Sequence, residues 1–281
     1  MEFLNKSRNQ EDLEILGKIC FDTLSKKLNI KQDSNEFCGI YFENRLREIN
    51  KIEDFSVVNS FVNCSEYNYP FFIFSPNSNS ILELHKKYPK SRIVHIKIPE
   101  GKSHDDYSRF MIKDIWNYLP KGFERLLFFH PDGFLIKSGW EKFVLDNKLD
   151  YIGSAWCHAP SIDIKFKNEW TNLNFPRIQC GNGGFSYRTR SCCERVSNEF
   201  SQFVLRENGR EDNRPPPEDL FYSHIMNGIR DGGRVASVRQ AMKFSLDPIT
   251  LDEYNRKLSF GFHYPKKINE FQKHRDYYLS L

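Results

Sequence analysis

The chain has 281 residues, 39% of them hydrophobic, with 25 Phe and 13 Tyr, enough for one large core or two small ones. Its 41 basic and 37 acidic residues give a formal charge of +4, which does not by itself point to nucleic acid and suits an anionic ligand equally. Seven cysteines without a CxxC pair argue against a zinc ribbon or a disulfide framework, the polar start MEFLNKSRNQEDLE lacks a signal core, and no run approaches the roughly 18 apolar residues of a membrane helix, so a soluble, cytoplasmic protein is expected.

In chain order, Leu13, Leu16, Ile19, Cys20, Leu24 and Leu28 fall at helical spacing, and residues 1–36 are expected to be a helical extension. EFCGIYFENR (36–45) reads as a strand ending in a charged cluster, and residues 50–63 as a helix. YPFFIFSP (69–76) is an apolar strand stopped by Pro76, and NSILELHKKY (79–88) a helix with Asn79 or Ser80 near its start. RIVHIKIP (92–99) alternates as a strand does, SHDDYSRFMIKDIWNYL (103–119) is an amphipathic helix, and ERLLFFH (124–130) is a fourth strand. Strands and helices alternating over short connections imply a mostly parallel sheet of the α/β class, with ligands at the carboxyl ends of its strands. Three such ends carry polar clusters: Glu43-Asn44-Arg45, Ser75-Pro76-Asn77 and His130-Pro131-Asp132-Gly133.

The alternation stops after residue 133, so a different structure is expected to be built onto the same sheet. Tyr151 and Ile152 mark a short strand, and residues 158–176 read as a polar surface loop. QCGNGGFSYRTR (179–190) reads as a glycine loop, whose backbone N–H groups either approach a ligand or simply make a tight turn. RPPPEDLFYSHIMNGI (214–229) starts a helix with Glu218 and Asp219, either as ordinary caps or as chemical groups. LSFGFHY (258–264) adds a late histidine, His263, which alone reads more readily as a structural or surface residue than as a ligand. Lys86-Lys87, Arg188-Arg190 and Lys266-Lys267 are basic pairs that read as solvated faces or as contacts for an anionic polymer.

Taken in order, the His-x-Asp strand end, the glycine loop, the Glu-Asp pair and the late histidine resemble the landmarks of glycosyltransferases of the GT-A fold. The chain is also similar to a set of glycosyltransferase-like domains marked by Glu-x-Arg, DGF, YIG-x-W, GNGGFS-x-R, ED and FGFH. Here these are Glu43 to Arg45, Asp132 to Phe134, Tyr151 to Gly153 with Trp156, Gly181 to Ser186 with Arg188, Glu218-Asp219, and Phe260 to His263. The resemblance spans about residues 37 to 264. It implies a Rossmann-type, mostly parallel sheet flanked by helices in a single domain over residues 37–281, with a nucleotide-binding half (37–133) and an acceptor and catalytic half (134–281).

The resemblance further implies metal-dependent transfer of a sugar, a hexose being favoured, from a nucleotide sugar to a hydroxyl. UDP-sugars such as UDP-glucose are the favoured donors. Asp219 matches the base of inverting members, with Glu218 as the fallback. Asp132 matches the metal-binding acid, with His263 and His130 as its partners toward Mn²⁺ or Mg²⁺. His130 departs from the usual first acid of the motif. Glu43, Arg45 and Tyr107 are expected to face the nucleotide or its phosphates, while Asn182, Gly183, Gly184, Phe185 and Trp156 face the sugar or acceptor. Arg45 reads equally as a structural ion-pair partner, and Tyr107 reads more readily as a core residue. A glycan, a protein and a modified nucleic-acid base all remain as acceptors. The alternatives are a non-catalytic glycan- or nucleotide-binding module and a sugar-nucleotidyltransferase. The latter would want a glycine-rich basic loop after the first strand, where this chain has ENRLREIN.

Overall fold

The computed structural model describes residues 31–49, 52–77, 81–155, 162–166, 169–173, 180–200, 204–207, 210–212, 215–228, 232–246 and 259–263. The helix expected at 9–29, the cap at Asn79 or Ser80, Trp156 and the Lys266-Lys267 pair lie outside the described residues.

Strands β1 (Phe37–Phe42), β2 (Phe71–Ser75), β3 (Ile93–Lys97) and β4 (Arg125–Phe129) are parallel and lie side by side in the order β3-β2-β1-β4. Every residue of β1 and β2 is buried, as is β4 beyond Arg125, because helices cover both faces of a parallel sheet. β3 is the edge, and only its first residue is fully buried. Right-handed crossovers that step outward from β1 to β3 put the helices Ile52–Cys64 and Ile81–Lys87 on one face. The return to β4 then puts the segment His104–Tyr118 on the other. That segment begins where the Ser103 hydroxyl accepts from Asp106 N–H (3.1 Å).

A continuous helix was expected over residues 103–119, but a wide π-type turn occupies Phe110–Asp114. Side chains take the carbonyls there: Tyr222 donates to Met111 O (3.0 Å) and Trp116 Nε1 to Ile112 O (3.1 Å). These bonds also pack the segment against the helices Arg190–Phe200 and Glu218–Gly228 (Trp116 Nε1 to Ser197 Oγ, 3.2 Å).

The second half extends the same sheet with reversed polarity. β9 (Cys180–Thr189) pairs antiparallel with β4, and β6 (Tyr151–Ala155) antiparallel with β9, giving a six-stranded mixed sheet. The segment read as a glycine loop is thus most of a ten-residue strand, with both neighbours using its backbone groups. The surface loop expected at 158–176 contains β7 (Ile162–Phe166) and β8 (Glu169–Leu173), which pair antiparallel. IDIKF alternates with period two, a strand signal that the surrounding polar residues hide. β10 (Val204–Glu207) and β11 (Arg210–Asp212) complete that four-stranded sheet. β5 (Gly133–Leu135), β12 (Ser245–Leu246) and β13 (Gly261–His263) form a third, small sheet, in which His263 pairs with Gly133. This small sheet fixes the late histidine beside the end of β4.

Candidate functional site

β4 ends at Phe129, and His130 N–H donates to Gly184 O (2.7 Å). A turn follows, closed by Gly133 N–H on His130 O (3.1 Å), and it delivers Asp132 into the interior, fully buried. The β5–β13 pairing brings His263 to the same place, with Nε2 3.2 Å from Asp132 Oδ1. His130, Asp132 and His263 can each offer one ligand atom, and these atoms lie within 4.8 Å of one another. Two imidazoles and a carboxylate at that spacing suit a divalent transition-metal ion that takes nitrogen as well as oxygen, Mn²⁺ among them, better than Mg²⁺, which favours oxygen alone.

The second cluster begins at the start of the helix Glu218–Gly228. Glu218 is buried and pairs with Arg188 (Nη2 to Oε1, 3.2 Å). Arg188 is fully buried, with its guanidinium 4.5 Å from the Phe128 ring centroid and 5.1 Å from that of Tyr222. Burial opposes the charge of Arg188, but the acidic groups of Tyr151, Glu218 and Tyr107 outweigh it and hold the guanidinium protonated. Asp219 is half-buried and accepts from Leu220 N–H (2.8 Å) and Gly183 N–H (3.4 Å). Burial, and then the negative charge of Glu218, push its carboxyl up to about 8.

Gly183 and Gly184 join the two clusters. A Cβ at Gly183 would overlap the Glu218 carboxylate, and one at Gly184 would overlap the His263 imidazole. Their lack of side chains gives room to two buried functional groups, which is a different role from lining a ligand with amides. Those amides are already used within the chain, Gly183 N–H on Asp219 and Gly184 N–H on Asn182 Oδ1 (2.8 Å). Phe185 is buried against Phe129 and Phe244, so its ring belongs to the core.

The other expected contacts are placed as follows. Tyr107 is buried, and its hydroxyl sits between Glu218 Oε1 (2.9 Å) and His130 Nε2 (2.7 Å). Glu43, at the carboxyl end of β1, receives three hydrogen bonds from Arg45 (backbone N–H 3.0 Å, Nε 2.8 Å and Nη2 2.6 Å) and one from Arg47. Arg47 also reaches Asp54, which in turn accepts from the Tyr41 hydroxyl. Burial raises the Glu43 carboxyl, but its Arg45 and Arg47 partners prevail and hold it below the usual carboxylate range. The Arg45 side chain remains 60% exposed. Arg188-Arg190 is not a solvated basic patch. Strand alternation turns Arg188 into the core, and Arg190 donates to the carbonyls of Pro120 (2.8 Å) and Trp116 (3.0 Å). The buried pairing of Arg188 with Glu218 is the contact beside the candidate site that the sequence reading missed. Local alternation gave no signal of it, because Phe185, Ser186, Tyr187 and Arg188 are all buried and both faces of β9 are covered.

A comparison with curated proteins by sequence finds no match. Among solved structures, the chain is similar to core-mannan synthase A from Aspergillus fumigatus in its Mn/GDP form (10% identity, 74% of this chain and 73% of that one, TM-score 0.49). It is also similar to mouse xyloside xylosyltransferase 1 in its apo form (8% identity, 85% and 99%, TM-score 0.46). A third similarity is to S. aureus TarS residues 1–349 in complex with UDP-GlcNAc (12% identity, 71% and 55%, TM-score 0.39). A family model matches residues 91–263, from β3 through His263, and the chain belongs to that family, described as protein of unknown function (DUF5672).

Proposed function

We propose that this protein is a metal-dependent glycosyltransferase that moves a sugar from a nucleotide-sugar donor to a hydroxyl acceptor. The observation that carries the reading is the convergence, around Gly183 and Gly184, of a three-residue cation-binding group with a carboxylate suited to act as a base. His130, Asp132 and His263 would hold the cation, which when bound stabilises a diphosphate leaving group as a Lewis acid. Asp219 takes the proton of the acceptor hydroxyl. Its raised pKa places it near neutral operating pH, where a general base is most effective. In this reading Glu218, tied to Arg188 and Tyr107, holds its neighbours in place, and Asp219 rather than Glu218 serves as the base. Arg45, exposed at the end of β1, would face the nucleotide with Glu43 as its anchor.

Transfer with inversion, a UDP-sugar donor and a cytoplasmic setting belong to the same proposal. Among the described residues the cysteines Cys38, Cys64, Cys192 and Cys193 are buried thiols, and no helix is long and apolar enough to cross a membrane. The direct test is Asp219→Asn. The account expects donor binding to be retained while turnover falls by about 10²–10⁴-fold. Turnover that survives this change removes Asp219 as the base.

A further inference from the structure

A buried chain of polar groups runs behind the cation-binding group and is not needed to explain the transfer step. Its links are His130 Nε2 to Tyr107 Oη (2.7 Å), Tyr107 Oη to Glu218 Oε1 (2.9 Å), and Glu218 Oε1 to Arg188 Nη2 (3.2 Å). Tyr107, Glu218 and Arg188 are all buried and come from three separate elements.

The direction of the chain follows from counting protons. Arg188 has only donors, and an ionised Glu218 has only acceptors, so the carboxylate accepts from both Arg188 and Tyr107. A phenol has one proton. Once Tyr107 donates that O–H to Glu218 in a hydrogen bond, its oxygen can meet His130 Nε2 only as an acceptor, so Nε2 must carry a hydrogen. A neutral imidazole with Nε2–H has its lone pair on Nδ1. We infer that Arg188, Glu218 and Tyr107 form a positioning chain that fixes His130 as its Nε2–H tautomer and leaves Nδ1 as its metal-ligating nitrogen. The tautomer part stands on these hydrogen bonds with Glu218 as the carboxylate partner of Arg188 and His130 neutral, whereas the metal part rests on the proposed cation site. Glu218 is thus a positioning carboxylate, even though it adjoins the base. Supporting partners of this kind orient a ligating imidazole and raise its basicity, and their loss lowers metal affinity about 10–100-fold.

The experiment is ¹⁵N NMR of metal-free protein labelled at histidine, with the His130 signals assigned by comparison with His130→Asn. Mn²⁺ titration of wild type and Tyr107→Phe goes with it. Phe keeps the ring and its packing against Phe42. The expected result is an Nε2–H pattern for His130 in the wild type, its loss in Tyr107→Phe, and Mn²⁺ affinity about 10–100-fold weaker in a variant that still unfolds cooperatively. An Nδ1–H pattern in the wild type overturns the inference, and that measurement decides even if the variant does not fold. Unchanged Mn²⁺ affinity in a folded Tyr107→Phe also overturns it. If the wild type shows the Nε2–H pattern but binds no Mn²⁺, the cation site itself is wrong and the chain has no metal to position.

Discussion

The two halves of the six-stranded sheet bury different things. Between β1 and β4 the sheet buries mainly rings and aliphatic chains: Phe37, Ile40, Phe71, Ile73, Leu127 and Phe129 are all 1% exposed or less. Charge there gathers at the end of β1, where Glu43, Arg45, Arg47 and Asp54 neutralise one another. Glu43 and Asp54 are buried there inside that compensated cluster, whereas in the second half Asp132 in the turn after β4, Arg188 on β9 and Glu218 at a helix start, each at most 2% exposed, converge from three separate elements. An ion pair in the interior is seldom more stabilising than apolar packing of the same volume. The contrast teaches that the first half is organised for stability, whereas the second holds a set of charged groups in a fixed arrangement.

The sharpest break of that contrast is Asp132→Ala. The loss of a direct ligand should weaken Mn²⁺ binding by more than the roughly 100-fold typical of a supporting residue. Calorimetric titration would show it, and retained affinity would remove Asp132 from the site. Arg47→Met tests the opposite half. It leaves the fully buried Asp54 without its cation and should lower stability in urea by about 3 kcal/mol while Mn²⁺ affinity stays unchanged. Gly184→Ala mixes the two effects. The added methyl meets the His263 imidazole, so about 1–3 kcal/mol of overpacking should come with weaker Mn²⁺ binding.

The pH dependence sets the halves against each other at one residue. Asp219 is raised from 3.8 to about 8, so folding favours its protonated form. That stabilisation is complete below about pH 4 and is lost as pH rises through about 8, so unfolding scans should show a downward slope that Asp219→Asn removes. Turnover needs the ionised form and should rise over the same interval. The smallest effect belongs to Leu82→Lys on the exposed side of the helix Ile81–Lys87, where a change within about 0.5 kcal/mol is expected.

The parallel half was legible because its strands are short apolar runs separated by regular helical spacing, which the local sequence displays directly. Asp132 and His263, which the fold brings together, and Asp219, proposed as the base, were singled out for a different reason, as their landmarks stand in a familiar order. Gly183 and Gly184 were misread as a loop because glycine signals freedom of the backbone, whereas here it signals what must fit beside it. Arg188 was read as surface because its partner Glu218 lies 30 residues away, a distance only the fold removes. The strands β7, β8, β10 and β11 were missed because they are short and polar residues around them hide their pattern.

The measurement that tests the central claim most directly is a panel of nucleotide sugars, with and without Mn²⁺, scored by thermal shift and by donor hydrolysis. The account predicts that at least one nucleoside diphosphate sugar raises the unfolding temperature and is turned over, and that both effects need the metal. If no donor shifts the melting curve or is hydrolysed, with metal or without, the protein is not a nucleotide-sugar transferase.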